Sequence, residues 1–194
     1  MTATVSYTDL VTMTGKTVRL EPMRDEHLPD LFAASRDAEI WQYLPTEWPQ
    51  TLDEMKALFR EAGDRVRFAV VDIATGNAIG TTGYLRPDEA NRNVEIGGTW
   101  YAKAYQRTSV NTECKYLMLK RAFEDLGCVR VQITTDELNT RSRAAIERIG
   151  GVFEGISRHD RLVSGGRLRS TARYSLLAGE WPARKAWFEE RLAT

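Results

Sequence analysis

Between Gln106 and Gly127 the apolar positions fall into two adjoining stripes at helical spacing. Val110, Cys114, Leu117 and Met118 make one; Tyr116, Leu119, Phe123 and Leu126 make the next. Two adjoining stripes predict a helix buried over much of its circumference, and Gly127 sits where a left-handed residue ends such a helix. The rest of the chain is arranged around this segment. Before it, strand-like runs are predicted at Thr17–Pro22, Arg67–Asp72, Ala78–Leu85 and Asn93–Tyr101, with a turn at Ala74–Asn77 and a charged turn at Arg86–Arg92. Helical spacing is predicted at Arg24–Ser35, at Ala38–Tyr43, and from Thr51 to about Ala62, where Gly63 stops it. Thr51 with Glu54 three residues on is a capping-box pattern. After the central helix come a strand at Arg130–Thr135 and a helix at Asn139–Ile149, ended by Gly150 and Gly151. A hairpin of Val152–Arg158 and Arg169–Leu177 follows around Ser164-Gly165-Gly166, and then a helix at Glu180–Leu192.

This order predicts an α+β domain: one central, mostly antiparallel mixed sheet with helices on both faces. The unit from Asn93 to Thr135 is strand, helix, strand, and should be parallel and right-handed. No repeat or linker divides the 194 residues, so residues 1–194 read as a single domain with residues 1–14 as a loose N-terminal arm.

Composition changes this picture little. Apolar residues make up 42% and charged residues 28%, with 27 basic side chains balancing 27 acidic ones. A neutral chain gives no broad attraction to nucleic acid or to an anionic membrane, so neither partner is expected. No run of about 18 apolar residues exists to span a bilayer, and the start of the chain lacks the pattern of a signal peptide. Cys114 and Cys128 have no metal spacing, and His27 and His159 have no partner spacing, so no metal is expected. By default these features point to the cytoplasm.

The first turn of the central helix is small and polar: Thr108, Ser109, Asn111, Thr112. Free N–H groups and the helix dipole make such a turn a candidate anion site, and equally an ordinary capped helix. The strand, polar loop and helix together resemble the core of the GNAT superfamily of acyl-CoA-dependent N-acetyltransferases. The phrase VNTECKYLMLKRAFE resembles in particular the branch of ribosomal-protein N-terminal acetyltransferases. The resemblance runs from about Gly15 to Leu177. It implies a fold in which Asn93–Tyr101 and Arg130–Thr135 splay apart and receive the pantetheine arm of acetyl-CoA.

In that family a Gln/Arg-x-x-Gly-x-Gly/Ala loop binds the pyrophosphate. Here it falls on Gln106, Arg107, Thr108, Ser109, Val110 and Asn111, with Ser109 and Asn111 in place of the two glycines. The resemblance further implies cofactor contacts from Trp100, Tyr101, Thr112, Asn139 and Arg141. Arg107 and Lys115 would neutralise phosphate charge or stand as solvated surface residues. Trp41, Tyr43 and Trp48 would wall the acceptor pocket, or serve as packing.

Acetyl transfer to an amine requires a group that takes a proton from the amine and one that gives a proton to the leaving thiolate. Glu95 lies mid-strand between Val94 and Ile96 and must point away from both. A glutamate on an enclosed sheet face needs a partner or a role, and the resemblance puts a base on this strand. The alternative is a rim glutamate paired with Arg92 or Arg130. Ser142 is the candidate acid, in an Asn-x-x-Ser pattern starting at Asn139; a plain N-cap is the alternative. Tyr174 and Tyr101 are reserve acids.

The expected function is therefore acetyl-CoA-dependent transfer to a primary amine: a protein N-terminus, an amino acid or a small amine. A non-catalytic acyl-CoA-binding domain and a self-associating structural domain are the competing readings. A homodimer is expected from the resemblance, with Trp181, Trp187 and Phe188 as an exposed contact surface.

Overall fold

Along the strand Arg65–Asp72 (β3) successive residues enter two different cores. Val66, Phe68 and Val70 pack in one apolar cluster, and Ala69 and Val71 in another. Side chains alternate across a strand, so β3 separates two buried layers. The computed structural model describes residues 6–60 and 65–193. Among the described residues eight strands form one sheet, in the order β1-β2-β3-β4-β5-β6-β8-β7. The others are Met13–Thr14 (β1), Val18–Pro22 (β2), Ala78–Asp88 (β4), Asn93–Tyr101 (β5), Arg130–Asp136 (β6), Val152–Val163 (β7) and Arg167–Leu177 (β8).

All neighbours are antiparallel except β5 and β6. Among the described residues the helices are Leu28–Ala34 (α1), Leu52–Arg60 (α2), Val110–Lys120 (α3), Thr140–Arg148 (α4) and Trp181–Ala193 (α5). Residues of α3, α4 and α5 join the first cluster, and residues of α1 and α2 the second. The mixed sheet with helices on both faces is the architecture expected from the sequence. Fully buried Leu20, Phe68 and Ile96 each stabilise it by about 1.5–3 kcal/mol over exposure.

The structure corrects several boundaries. The segment before Gly15 is not loose from Ser6 onward: Tyr7 is buried, Ser6 and Tyr7 both donate to Glu89 Oε1, and β1 pairs with β2. Arg24–Ser35 divides into a 3-10 turn at Asp25–His27 and α1, and Ala38–Ile40 is a single 3-10 turn. The predicted stop of α2 at Ala62 and Gly63 lies outside the described residues. Its cap is as expected: Thr51 Oγ1 accepts from Glu54 N at 3.2 Å, while the Glu54 carboxylate accepts from Gln50 N at 2.6 Å. The central helix is regular only to Lys120, and Arg121–Asp125 widens into a π turn before Gly127 closes it at φ +64°.

The expected dimer surface is also corrected. Trp181 and Phe188 are buried within the chain, where Trp181 packs on Tyr116 and Phe123 at ring distances of 6.2 and 5.5 Å. These rings hold α5 against α3, so they are core residues. Trp187, partly buried, packs on Phe188 at 5.1 Å. Among the described residues no helix is long and apolar enough to cross a membrane.

The sheet is irregular on both sides of β5. Gly83 pairs with Gly97 and Thr81 with Trp100, so β5 carries one extra residue over that span. That is a β-bulge, and Gly98 at φ +60° supplies the left-handed conformation it needs. Parallel pairing of β5 with β6 runs only from Asn93↔Arg130 to Ile96↔Ile133, although both strands continue. Beyond Ile96 the two strands part, as the resemblance implied.

Candidate active site

The gap between β5 and β6 opens into a cavity of about 410 Å³. Glu95, paired with Gln132 one level before the strands part, lines it. Val94 and Ile96 enter the core on the α3 side, so Glu95 faces the α1–α2 side. It is 5% exposed. Thr134 donates to Oε1 at 2.7 Å; Arg86 and Gln132 donate to Oε2 at 2.6 and 3.3 Å. A carboxylate has about four acceptor directions, so one remains on Oε1.

The ion-pair partner is Arg86, neither of the two arginines considered from the sequence. Arg92 donates to Gly127 O, and Arg130 makes a two-bond pair with Glu154 at 2.6 Å each. That pair holds the Glu154 carboxyl down at about 2. Arg86 reaches Glu95 from the end of β4 with a left-handed backbone, φ 48°, a conformation that strains a residue other than glycine.

Across the cavity Asn139 caps α4, its Oδ1 accepting from Ser142 N at 3.0 Å. The capping alternative for Asn139 is therefore real. It leaves the Ser142 hydroxyl, half-buried at the cavity wall, with no hydrogen-bond partner among the described residues. Tyr174 does not line the cavity: its hydroxyl accepts from Arg143 at 2.9 Å and lies 3.1 Å from Glu147 Oε1, which removes it as a reserve acid. Tyr101 does line it, with its hydroxyl donating to Asn111 Oδ1 at 3.2 Å. Burial, and then the Cys114 thiol, push that phenol well above its ordinary range.

Of the residues expected to contact cofactor, Trp100, Tyr101, Gln106, Arg107, Thr108 and Asn111 line the cavity, as do Asn139 and Arg141. Gln106 ties two walls together, donating to Tyr101 O at 3.1 Å and accepting from Arg141 at 2.8 Å. Ser109, Val110 and Thr112 do not line it; Val110 is a core residue and Thr112 is buried. Any contact from these three would come through backbone N–H groups at the helix start.

Ser109 has right-handed geometry at φ −69°, ψ −16°, and Asn111 lies inside α3. The left-handed residue of the loop is Arg107, φ 64°. Neither replaced glycine is needed for backbone conformation, and Gln106, Arg107, Thr108 and Asn111 present the loop to the cavity. Ser109→Gly is accordingly expected to bind CoA at least as tightly as the native chain in calorimetry. A large loss would show that the hydroxyl itself contacts the ligand.

Lys115 is not a surface residue. It is 5% exposed, lines the cavity, and donates to Thr99 Oγ1 at 2.9 Å. Desolvation pulls its amine down to about 8. No sequence signal marked it as buried, because a lysine on a helix with two apolar stripes reads as the polar gap between them.

In the expected acceptor pocket Trp41 and Tyr43 line the cavity. Trp41 is buried, donates to Ser35 O at 2.9 Å and packs on Trp100 at 5.8 Å. Trp48 does not line it; it packs beside α1 and α2 with Arg36 over its ring at 5.2 Å. Among the described residues no group of three or more His, Cys, Asp or Glu is placed to hold a metal.

Comparison with known proteins agrees with this geometry. A relative from Bacillus subtilis (strain 168), named "Putative ribosomal N-acetyltransferase YdaF", is 36% identical over 110 residues. That match spans 57% of this chain and 59% of the relative's length. A GCN5-related N-acetyltransferase from Brucella melitensis superposes at a TM-score of 0.90 with 34% identity, over 95% of this chain and 86% of that one. Mycobacterium smegmatis RimJ, solved in complex with CoA-disulfide, shares the fold at a TM-score of 0.80, with 18% identity and 96% of each chain covered. The family model for the acetyltransferase (GNAT) domain matches residues 17–152, well over half of the chain. With that domain, the splayed β5–β6 pair and these neighbours, the chain belongs to the GNAT acetyltransferase family.

Proposed function

We propose that this protein transfers the acetyl group of acetyl-CoA to a primary amine, most simply the N-terminus of a protein. The single observation that carries the proposal is the buried Glu95 carboxylate, held at the mouth of the parted strands with one acceptor direction open. The relative named as a ribosomal N-acetyltransferase favours a protein acceptor.

The residues divide the work. Acetyl-CoA supplies the acetyl group as a thioester with a thiolate leaving group. The loop from Gln106 to Asn111 and the start of α4 at Asn139 and Arg141 would hold it. Glu95 receives a proton from the amine, directly or through a water, and Arg86, 2.6 Å from Oε2, holds the carboxylate in place. The Ser142 hydroxyl at the other wall donates to the leaving thiolate sulfur and passes it a proton taken up from solvent, so the serine ends neutral. Trp41 and Tyr43 exclude water from the acceptor side and position the amine. Holding two reactants in place contributes ~7–11 kcal/mol in well-oriented systems.

Acetyl-CoA should raise the melting temperature, since a ligand that binds the folded state adds about 2.7 kcal/mol at a hundred times its Kd. Thiol release with a panel of peptides and small amines should then show turnover. A melting shift with no turnover on any amine would leave a CoA-binding domain without catalysis. Absence of both the shift and a calorimetric signal at millimolar CoA would end the proposal.

A further inference from the structure

The sheet face that carries Glu95 also carries a surplus of arginine. On β8, Ala172, Tyr174 and Leu176 enter the core on the α3 side, so Arg169, Thr171 and Arg173 face the α1–α2 side. The same alternation puts Thr134 on that face, because Val131 and Ile133 are core residues. Arg169 Nη1 donates to Tyr43 O at 3.2 Å, tying it to the segment between α1 and α2. Arg161 on β7 stands directly opposite Arg169, and both line the cavity.

The nearby carboxylates are already engaged. Asp136 holds Arg167; Asp160 lies 3.7 Å from Arg173 and accepts from Thr171 Oγ1 at 2.7 Å. Neither Arg161 nor Arg169 reaches a carboxylate among the described residues. Arg169 is 5% exposed, and its Nε has no hydrogen-bond partner among the described residues. Burial, and then the charge of Arg161, lower its pKa, offset in part by the charges of Asp136 and Asp160. A buried guanidinium with an unmet N–H and a like charge opposite it is costly, and an anion between the two would relieve both. The phosphate loop leads into α3, on the other side of the sheet. Arg169 sits instead against Tyr43 on the α1–α2 side, where an anion is expected from the acceptor rather than from the cofactor.

We propose that Arg161 and Arg169 form a carboxylate-binding subsite in the acceptor half of the cavity, and that the acceptor is a peptide N-terminus with an acidic side chain among its first few residues. This rests on Glu95 as the group that meets the amine. Thr134, which touches Glu95, pairs with Arg173; Arg169 lies four residues further along β8, ~13 Å at the usual strand rise. That backbone spacing favours an acceptor longer than a free α-amino acid, whose amine and carboxylate sit on one carbon. An extended peptide covers it in about three or four residues.

The test compares peptides that differ only in Glu or Gln at positions two to four, with free glutamate as a third acceptor. At one position Glu should exceed Gln in kcat/KM by ~10-fold, the usual scale for a hydrogen-bonded charge pair. Arg161→Gln should bring that ratio towards one. Arg169→Lys should shrink it, with melting temperature checking that the fold survives. Equal rates for Glu and Gln at every position, with turnover present, would overturn the subsite and leave the acetyltransferase reading intact. Preference for free glutamate over every peptide would overturn the peptide class. If no amine turns over, calorimetry of the same peptides with the CoA-loaded protein tests the subsite alone, and equal affinities would sink it.

Discussion

Glu95→Gln is expected to lower turnover ~10²–10⁴-fold while leaving CoA affinity nearly unchanged, the usual span for a positioned general base. The substitution is close to isosteric, and the surroundings can accept it. A glutamine can turn its oxygen towards Arg86 and Gln132 and its NH₂ towards Thr134, whose hydroxyl accepts as well as donates. What is lost is the acceptor that takes the proton. Raising the pH should restore part of the rate, because more of the amine then arrives deprotonated. Ser142→Ala should lower turnover without that restoration, since proton delivery to the thiolate does not depend on the amine. Single-turnover rates across pH make the comparison, because product release can mask a chemical defect. Undiminished rates in both variants would leave positioning alone as the source of catalysis.

Lys115→Met should stabilise the protein at neutral pH by up to about 3 kcal/mol, an upper figure set by the depth of burial. Burial pulls the folded amine down to about 8 against an ordinary 10.5, with desolvation as the main cause and no carboxylate partner among the described residues. A lysine whose folded pKa is lowered binds its proton less well in the folded state. Its cost is therefore fully present below pH 8 and is relieved as pH rises from 8 towards 10.5. The native chain should gain stability over that window, and Lys115→Met should flatten that part of the profile. Thr99 Oγ1 keeps Thr82 Oγ1 at 2.8 Å, so the methionine strands no hydroxyl. Denaturant unfolding at pH 7 and pH 10 reads the effect. A less stable variant with an unchanged pH profile would mean that the ammonium is well solvated inside the cavity.

The sequence by itself determined the order of the main strands and helices and which way their side chains point, though not all of their boundaries. Alternation on VEIGG turned Glu95 away from Val94 and Ile96, and the capping pattern at Thr51 and Glu54 set the start of α2. These are properties of neighbours in the chain, fixed by backbone geometry and local hydrogen bonds. It also carried the strand–loop–helix resemblance that placed Gln106, Asn139 and Ser142 around one opening.

The tertiary structure alone decided who meets whom across the chain. Glu95 took Arg86 rather than Arg92 or Arg130, because sheet register and the left-handed backbone at Arg86 aim that guanidinium inward. Lys115 was carried into the cavity and Trp181 and Phe188 into the core, since α5 folds back on α3. Arg161 and Arg169 became neighbours through the pairing of β7 with β8. Periodicity reports a side chain's direction relative to its own element; its partner depends on register, bulges and helix docking between distant segments, which local spacing does not encode.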